Sequence, residues 1–261
     1  MSTPPPKRIS ARDNPEFKRF LAARARKTRD LILVEGPKLL GEAVRSGLSV
    51  KTIAVDAPPG VPLPQGVPLV HFAPPLMKSL SDVETHQGSI SLVERPRFAD
   101  DWLETPRAFI LVLDGLQDPG NVGTLFRTAE AAGVSGVLLT RGCADPLSPK
   151  ALRASAGSAF RLPHILDLGV EELLKRLPRG VPLAAAVAGP GTLSVFDAAS
   201  LSLPMALARG SEGSGLAPSI EGAASRRIRV PSAREVESLN VAAAGAIVMF
   251  EIARRAGILE T

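Results

Sequence analysis

This sequence predicts an α/β protein of two domains, the second built on a parallel sheet, and three observations predict it. Short apolar runs alternate with helix-length stretches along most of the chain. The runs of the second half, Phe109–Leu113 and Met205–Ala208 among them, are continuously apolar, as strands covered on both faces require. Several of these runs end in turns dense in Gly, Pro, Ser or Asn.

Residues 1–12 are Pro-rich and basic and read as a disordered tail. Within 13–95 the pattern predicts a small α/β domain. Its helices fall at Asn14–Arg29, Pro37–Arg45 (closed by Gly47) and Leu76–Leu80. Its strands fall at Leu31–Val34, Thr52–Val55, Leu69–Phe72 and Ser89–Val93. Residues 96–106, with mixed charge and the only tryptophan, Trp102, read as a linker. From 107 to 261 the strands are Phe109–Leu113, Val137–Thr140, Ala184–Val187, Met205–Ala208 and Ile228–Val230. The helices there are the one after Asn121, Lys150–Ala156, Glu171–Leu177 and Leu239–Arg255. The last is almost wholly apolar from Leu239 to Phe250 and therefore must be buried.

The chemistry concentrates in three segments where a strand gives way to a turn. The first runs from Phe109 to Gly133: strand, Gly115 and Gly120 in the loop, Asn121 as helix cap, and Arg127 about two turns into the helix. The dinucleotide fingerprint G-x-G-x-x-G is absent from it. The second, Ala208 to Leu216, holds Gly210, Gly213 and Gly215 around Glu212, so backbone can approach a ligand closely. The third is Val230-Pro231 followed by Ser238, Leu239, Asn240 and Val241. There a hydroxyl or amide can cap a helix or contact a ligand. Each alone reads as a well-formed turn. In an open parallel sheet all three converge beyond the carboxyl ends of the strands, where ligands sit.

Together these segments, LDGLQDPGNVGTLFRTAEAAG, ARGSEGSGL and VESLNVAAAGAIVMFE, resemble the three motifs of the SpoU (TrmH) branch of the SPOUT methyltransferases. Lys150–Pro163 is similar to the family's segment between the first two motifs. NPEFKRFL, LILVEGPKLL and HQGSISLVE look like the ribosomal-protein-like RNA-binding domain that precedes many members. The resemblance implies a deep trefoil knot in the carboxyl domain, S-adenosylmethionine as cofactor, and transfer of methyl to RNA ribose 2′-hydroxyls. It also implies a homodimer with the active site at the subunit interface. Carried over by residue, Gly210, Val230 and Leu239 bind the cofactor through backbone groups, with Ser238 and Asn240 beside them. Arg127 activates the hydroxyl, with Asn121 and Glu212 supporting it. Since guanidinium stays protonated, Arg127 serves better as a cation on a phosphate and on developing alkoxide. Glu212 then orients Arg127, helps take the proton, or forms a salt bridge within the dimer. One departure is that Ser232–Glu237 lacks the Met and Gly usual in the family, which alters one wall of the cofactor pocket.

Charge points the same way. The first 30 residues hold nine basic side chains against Asp13, Glu16 and Asp30, within a chain of net charge +5, so the remainder is slightly acidic. Such a front end suits a polyanion, or a merely solvated face. Lys18, Arg24, Arg26 and Lys27, with Arg153 further on, are the RNA-binding candidates. Cys143 is the only cysteine and His71, His86 and His164 are scattered, which argues against a disulfide framework and a metal site. Val241–Phe250 is about half a membrane span. The expected setting is cytoplasmic, with no membrane partner. The expected substrate is ribosomal RNA of the 23S kind, with transfer RNA as alternative. A catalytically silent RNA-binding or ribosome-assembly protein of the same fold, and an α/β enzyme binding phosphate without RNA, are the competing readings.

Overall fold

The computed structural model describes residues 8–57, 62–83, 87–197, 201–211, 213–234 and 239–259. Two compact units emerge. One comprises residues up to Arg97 together with Leu147–Arg161; the other comprises Phe98–Pro146 and everything from Leu162 onward.

The first unit is built from β1 (Arg8–Ile9), α1 (Pro15–Arg24), β2 (Leu31–Glu35), α2 (Pro37–Arg45), β3 (Val50–Val55), β4 (Leu69–Phe72), α3 (Pro74–Leu80) and β5 (Ser89–Glu94). Its sheet has the order β1-β4-β3-β5-β2, parallel at β1/β4 and β3/β4 and antiparallel where β5 meets β3 and β2. Arg8 and Ile9, expected within a disordered tail, instead extend the sheet along β4. Helix α1 starts where the sequence places it, with the Asn14 side-chain Oδ1 accepting the Glu16 N–H at 2.9 Å. It ends five residues earlier than expected because Arg26 adopts a left-handed φ of 55° that no helix continues through. On its inner face Phe17 and Phe20 meet Phe72 edge-on, with centroids 5.4 and 5.2 Å apart.

The second unit begins with a short 3-10 turn, Asp100–Glu104, inside the segment read as a linker. Trp102 there is buried against Gly136: a Cβ at Gly136 would lie 2.4 Å from the indole. Then come β6 (Phe109–Asp114), α4 (Pro119–Ala131) and β7 (Gly136–Thr140). Next, α5 (Pro149–Ser155) groups with the first unit, although the sequence reading kept it in the second domain. The physical reason lies in two ion pairs that the local pattern could not show. Arg153 reaches Glu35 at 3.3 Å, and Arg161 reaches Glu42 at 2.9 Å.

The chain continues with β8 (His164–Leu168), α6 (Val170–Arg176), β9 (Leu183–Ala186), β10 (Leu193–Ser194), β11 (Met205–Gly210), α7 (Pro218–Ala223), β12 (Arg226–Arg229) and α8 (Val241–Arg255). The strands form one seven-stranded, wholly parallel sheet of order β10-β12-β9-β11-β6-β7-β8. All six residues of β6 are buried, as a central strand covered on both faces requires. Late strand β11 sits between β6 and β9, pairing Gly210 with Asp114 and Ala208 with Ala185.

Helix α8 packs on α4. Gly245 makes the approach close, since a Cβ there would sit 2.5 Å from Leu125 Cδ2. The expected burial of this helix, against its own domain and a partner subunit, is met within one chain on one side only. Val241, Ala242, Ala244, Gly245, Val248, Met249, Ile252 and Ala253 face inward, whereas Ala243 and Phe250 are exposed and Ala246 and Ile247 half-buried. Those four share one face at helical spacing, so a single chain leaves an apolar stripe uncovered.

Among the described residues no helix is long and apolar enough to cross a membrane, and no cluster of His, Cys, Asp and Glu could hold a metal.

Candidate active site

Because the sheet is parallel, the carboxyl ends of β6, β11, β9 and β12 lie along one edge, and the three turn segments meet there. The first is fixed by Asp114, a buried carboxylate at the end of β6. It accepts the Thr140 hydroxyl at 2.7 Å through Oδ1 and the Ala217 N–H at 2.7 Å through Oδ2. Both oxygens are thus satisfied, and the loop after β6 is tied to the segment that follows the second motif. The sequence reading passed over Asp114. Its only signal was a charge ending an apolar strand, which also describes an ordinary exposed residue.

The cap of α4 is Asp118, not Asn121. The Asp118 Oδ2 accepts the Asn121 N–H at 2.9 Å, and Pro119 occupies the first turn, where its missing N–H costs nothing. Asn121 is therefore one turn further in. It accepts a hydrogen bond from Asn240 Nδ2 at 3.2 Å across 119 residues of sequence. Asn240 in turn caps α8, its Oδ1 receiving the N–H groups of Ala242 and Ala243. The first and third motifs are thus joined side chain to side chain. Arg127, two turns along α4, is exposed, and among the described residues it makes no hydrogen bond or ion pair.

Gly210 ends β11 and is buried. Behind it Ser211 and Gly215 exchange both backbone hydrogen bonds, and Ser211 Oγ lies 2.7 Å from Ser214 Oγ, closing a tight loop. A Cβ at Gly210 would sit 2.1 Å from the carbonyl of Gly215, so only glycine fits. Glu212 and Ser238 lie outside the described residues.

Val230 and Leu239 face a common cleft of about 260 Å³ together with Val187, Gly189, Ala244 and Val248. Its lining combines these apolar side chains and strand-end backbone with Arg209, Arg229 and Ser232, so it can hold a ligand that carries both an apolar and a polar part. The Val187–Gly189 wall was missed, although Ala-Val-Ala-Gly-Pro-Gly after β9 shows the same strand-then-glycine design as the other motifs. A second cavity at the same edge is lined by Asn121, Gln117, Arg141, Ser211 and Ser214. Nearby, the Cys143 thiol donates to the Leu113 carbonyl, and burial pushes its pKa up, so it stays protonated and is no nucleophile.

Of the candidates for nucleic acid, Lys18, Arg26 and Lys27 are exposed on the first unit and unpaired among the described residues. Arg24 is held by the Ser79 carbonyl and by Asp82 at 2.8 Å. Arg153 is held by Glu35, a carboxylate that is buried and also receives the Ser81 hydroxyl at 2.5 Å. Neither of these two arginines is a free cation.

The profile of the SpoU rRNA Methylase family matches residues 108–250. An RlmP of Bacillus subtilis, named as a 23S rRNA (guanosine(2553)-2′-O)-methyltransferase, is 31% identical over 242 residues, covering 91% of this chain and 94% of that protein. An uncharacterised tRNA/rRNA methyltransferase of Synechocystis is 41% identical over 146 residues, 56% of this chain; the match spans 53% of that longer protein. The crystal structure of an AdoMet-bound rRNA methyltransferase from Sinorhizobium meliloti superposes with a TM-score of 0.82 at 27% identity, covering 97% of this chain and 99% of that one.

Proposed function

The chain belongs to the SpoU rRNA methylase family, and from that premise we propose that it methylates a ribose 2′-hydroxyl of structured RNA, 23S-type ribosomal RNA first, with S-adenosylmethionine as donor. The observation that carries the reading is the junction of Asn121 with Asn240 beside the Val230–Leu239 cleft: three distant segments assemble one site at the sheet edge. Ribosomal RNA is preferred to transfer RNA because the Bacillus relative, matched over 94% of its length, is named for it.

The cleft residues fit the adenosine part of the cofactor: Val230, Leu239 and Val248 supply apolar walls, and Gly189, where an added Cβ would meet nothing within 4 Å, leaves backbone accessible. When bound, S-adenosylmethionine supplies a methyl group already electrophilic on sulfur. The remaining difficulty is the ribose hydroxyl, a poor nucleophile until its proton departs, and this chain's residues address it. Arg127, exposed and unpaired among the described residues, fixes a phosphate next to the target ribose and stabilises developing negative charge on the 2′-oxygen. Asn121, held by Asn240, orients the hydroxyl. Glu212 orients Arg127 or takes the proton. Gly210, Val230, Leu239, Ser238 and Asn240 form the cofactor side.

Two further features complete the reading. The insertion of β11 between β6 and β9, followed by the return of α8 onto α4, supports a trefoil knot in the carboxyl part. The stripe Ala243, Ala246, Ile247 and Phe250, with exposed Leu193 and Phe196 on the same unit, supports a homodimer. Phe250→Glu alters only an exposed side chain, so the fold should persist while the protein sediments as a monomer and methyl transfer drops at least tenfold. A dimeric, fully active variant refutes that interface. The first unit, with Lys18, Arg26 and Lys27, selects the RNA.

The decisive experiment incubates the purified protein with tritiated S-adenosylmethionine and either 23S rRNA or total tRNA, then maps the labelled nucleotide. Label in rRNA at one ribose is expected. Cofactor binding without labelling of either RNA would make it a silent RNA-binding protein.

A further inference from the structure

We infer that Arg141, at the end of β7, reads the base of the target nucleotide and selects guanine; the inference rests on the methyltransferase reading above. Two cavities adjoin the Asn121–Asn240 hydrogen bond. Leu239, before Asn240, lines the cofactor cleft; Val241, after it, lines the other cavity together with Asn121. A ribose presented at this bond with its 2′-oxygen toward the cleft has its base on the opposite side, in the second cavity. That cavity, of about 580 Å³, has room for a nucleobase.

Its polar lining offers hydrogen bonds to a flat ligand: the Gln117 and Asn121 carboxamides, the Asp118 carboxylate, the Ser211 and Ser214 hydroxyls, and the Arg141 guanidinium. Arg141 is held at both ends. Its backbone N–H bonds the Leu168 carbonyl at 2.9 Å, and its Nε donates to the Asp167 carbonyl at 3.2 Å. Asp167 is in the left-handed region, φ 62°, beside an irregularity in the β7/β8 pairing. With Nε tethered, Nη1 and Nη2 have no hydrogen-bond partner among the described residues. They form a planar fork of donors.

Guanine matches such a fork with two acceptors, O6 and N7. Adenine offers N7 beside an amino donor, and a guanidinium has no acceptor with which to meet it. RNA bases that are splayed from the stack are read in this way.

The test uses the intact protein and a transcript carrying the mapped target, made with guanine or adenine at that one position. For Arg141→Ala, kcat/KM on the guanine transcript should fall about tenfold or more, while the poorer adenine transcript loses little, so that discrimination collapses. Cofactor affinity by calorimetry should be unchanged, which also reports an intact fold. Arg141→Lys should restore binding partly and discrimination poorly. Equal losses on both transcripts would mean Arg141 contacts phosphate, and no loss would remove it from the site; either overturns the inference while leaving the methyltransferase reading intact. A wild-type protein that labels no RNA would overturn both.

Discussion

Arg127→Ala should reduce methyl transfer by about 10²–10³-fold while S-adenosylmethionine affinity stays within about twofold of wild type. The asymmetry follows from where the residue stands. Arg127 is exposed on α4, outside the Val230–Leu239 cleft, and among the described residues it has no partner whose loss would disturb the fold. Its whole contribution is therefore available to RNA. Arg127→Lys should recover little, because a compact ammonium cannot replace a planar fork at a phosphate. Single-turnover transfer with excess enzyme, together with calorimetric titration of the cofactor, separates the two effects. Near-normal turnover in the alanine protein would take Arg127 out of the mechanism.

The second large effect is expected from one methyl group. Gly210→Ala would place a Cβ 2.1 Å from the carbonyl carbon and oxygen of Gly215 and 2.4 Å from the Leu216 nitrogen. These are backbone atoms of a loop closed by reciprocal Ser211–Gly215 hydrogen bonds, so no side chain can swing aside. Overpacking of this kind costs about 1–3 kcal/mol in stability. Relief by moving the loop should cost at least about tenfold in cofactor affinity. Gly213→Ala is the matched control: its Cβ meets nothing within 4 Å, and its melting temperature should equal that of the wild type. If both variants melt and bind alike, the close approach at Gly210 has no consequence for the site.

The sheet was legible wherever a strand is covered on both faces. Phe109–Leu113 and Val137–Leu139 are apolar without interruption, as burial on two sides favours. Strand β8, with Asp167 in a five-residue run, and helix α7, six residues with Pro218 and Gly222, carry no such period and went unread. Both are held by neighbours rather than by local preference. At the mouth of α4, Asp118 and Asn121 are equally good caps; Pro119, which favours the first helical position, was the signal that decides between them. The site was legible as glycine-bearing turns at strand ends, because close approach demands those residues. Its partners were not: nothing near Arg153 announces Glu35, and nothing near Asn121 announces Asn240. Contacts between residues more than a hundred positions apart are properties of the folded chain alone.

The position of β11 bears on how this protein is made. In the seven-stranded sheet, β11 is the only strand joining the group β10-β12-β9 to the group β6-β7-β8. It is also late, Met205–Gly210, some ninety residues after the strand β6 on which it lies. A chain emerging from the ribosome therefore presents β6 and β9 as two open edges, each lined with apolar side chains, until that segment arrives between them. Pairings this distant in sequence are slow to close. During synthesis the future centre of the sheet is thus an exposed apolar surface: arrival of residues 205–210 covers the edge of β6 and one side of β9, and the other side of β9 waits for β12.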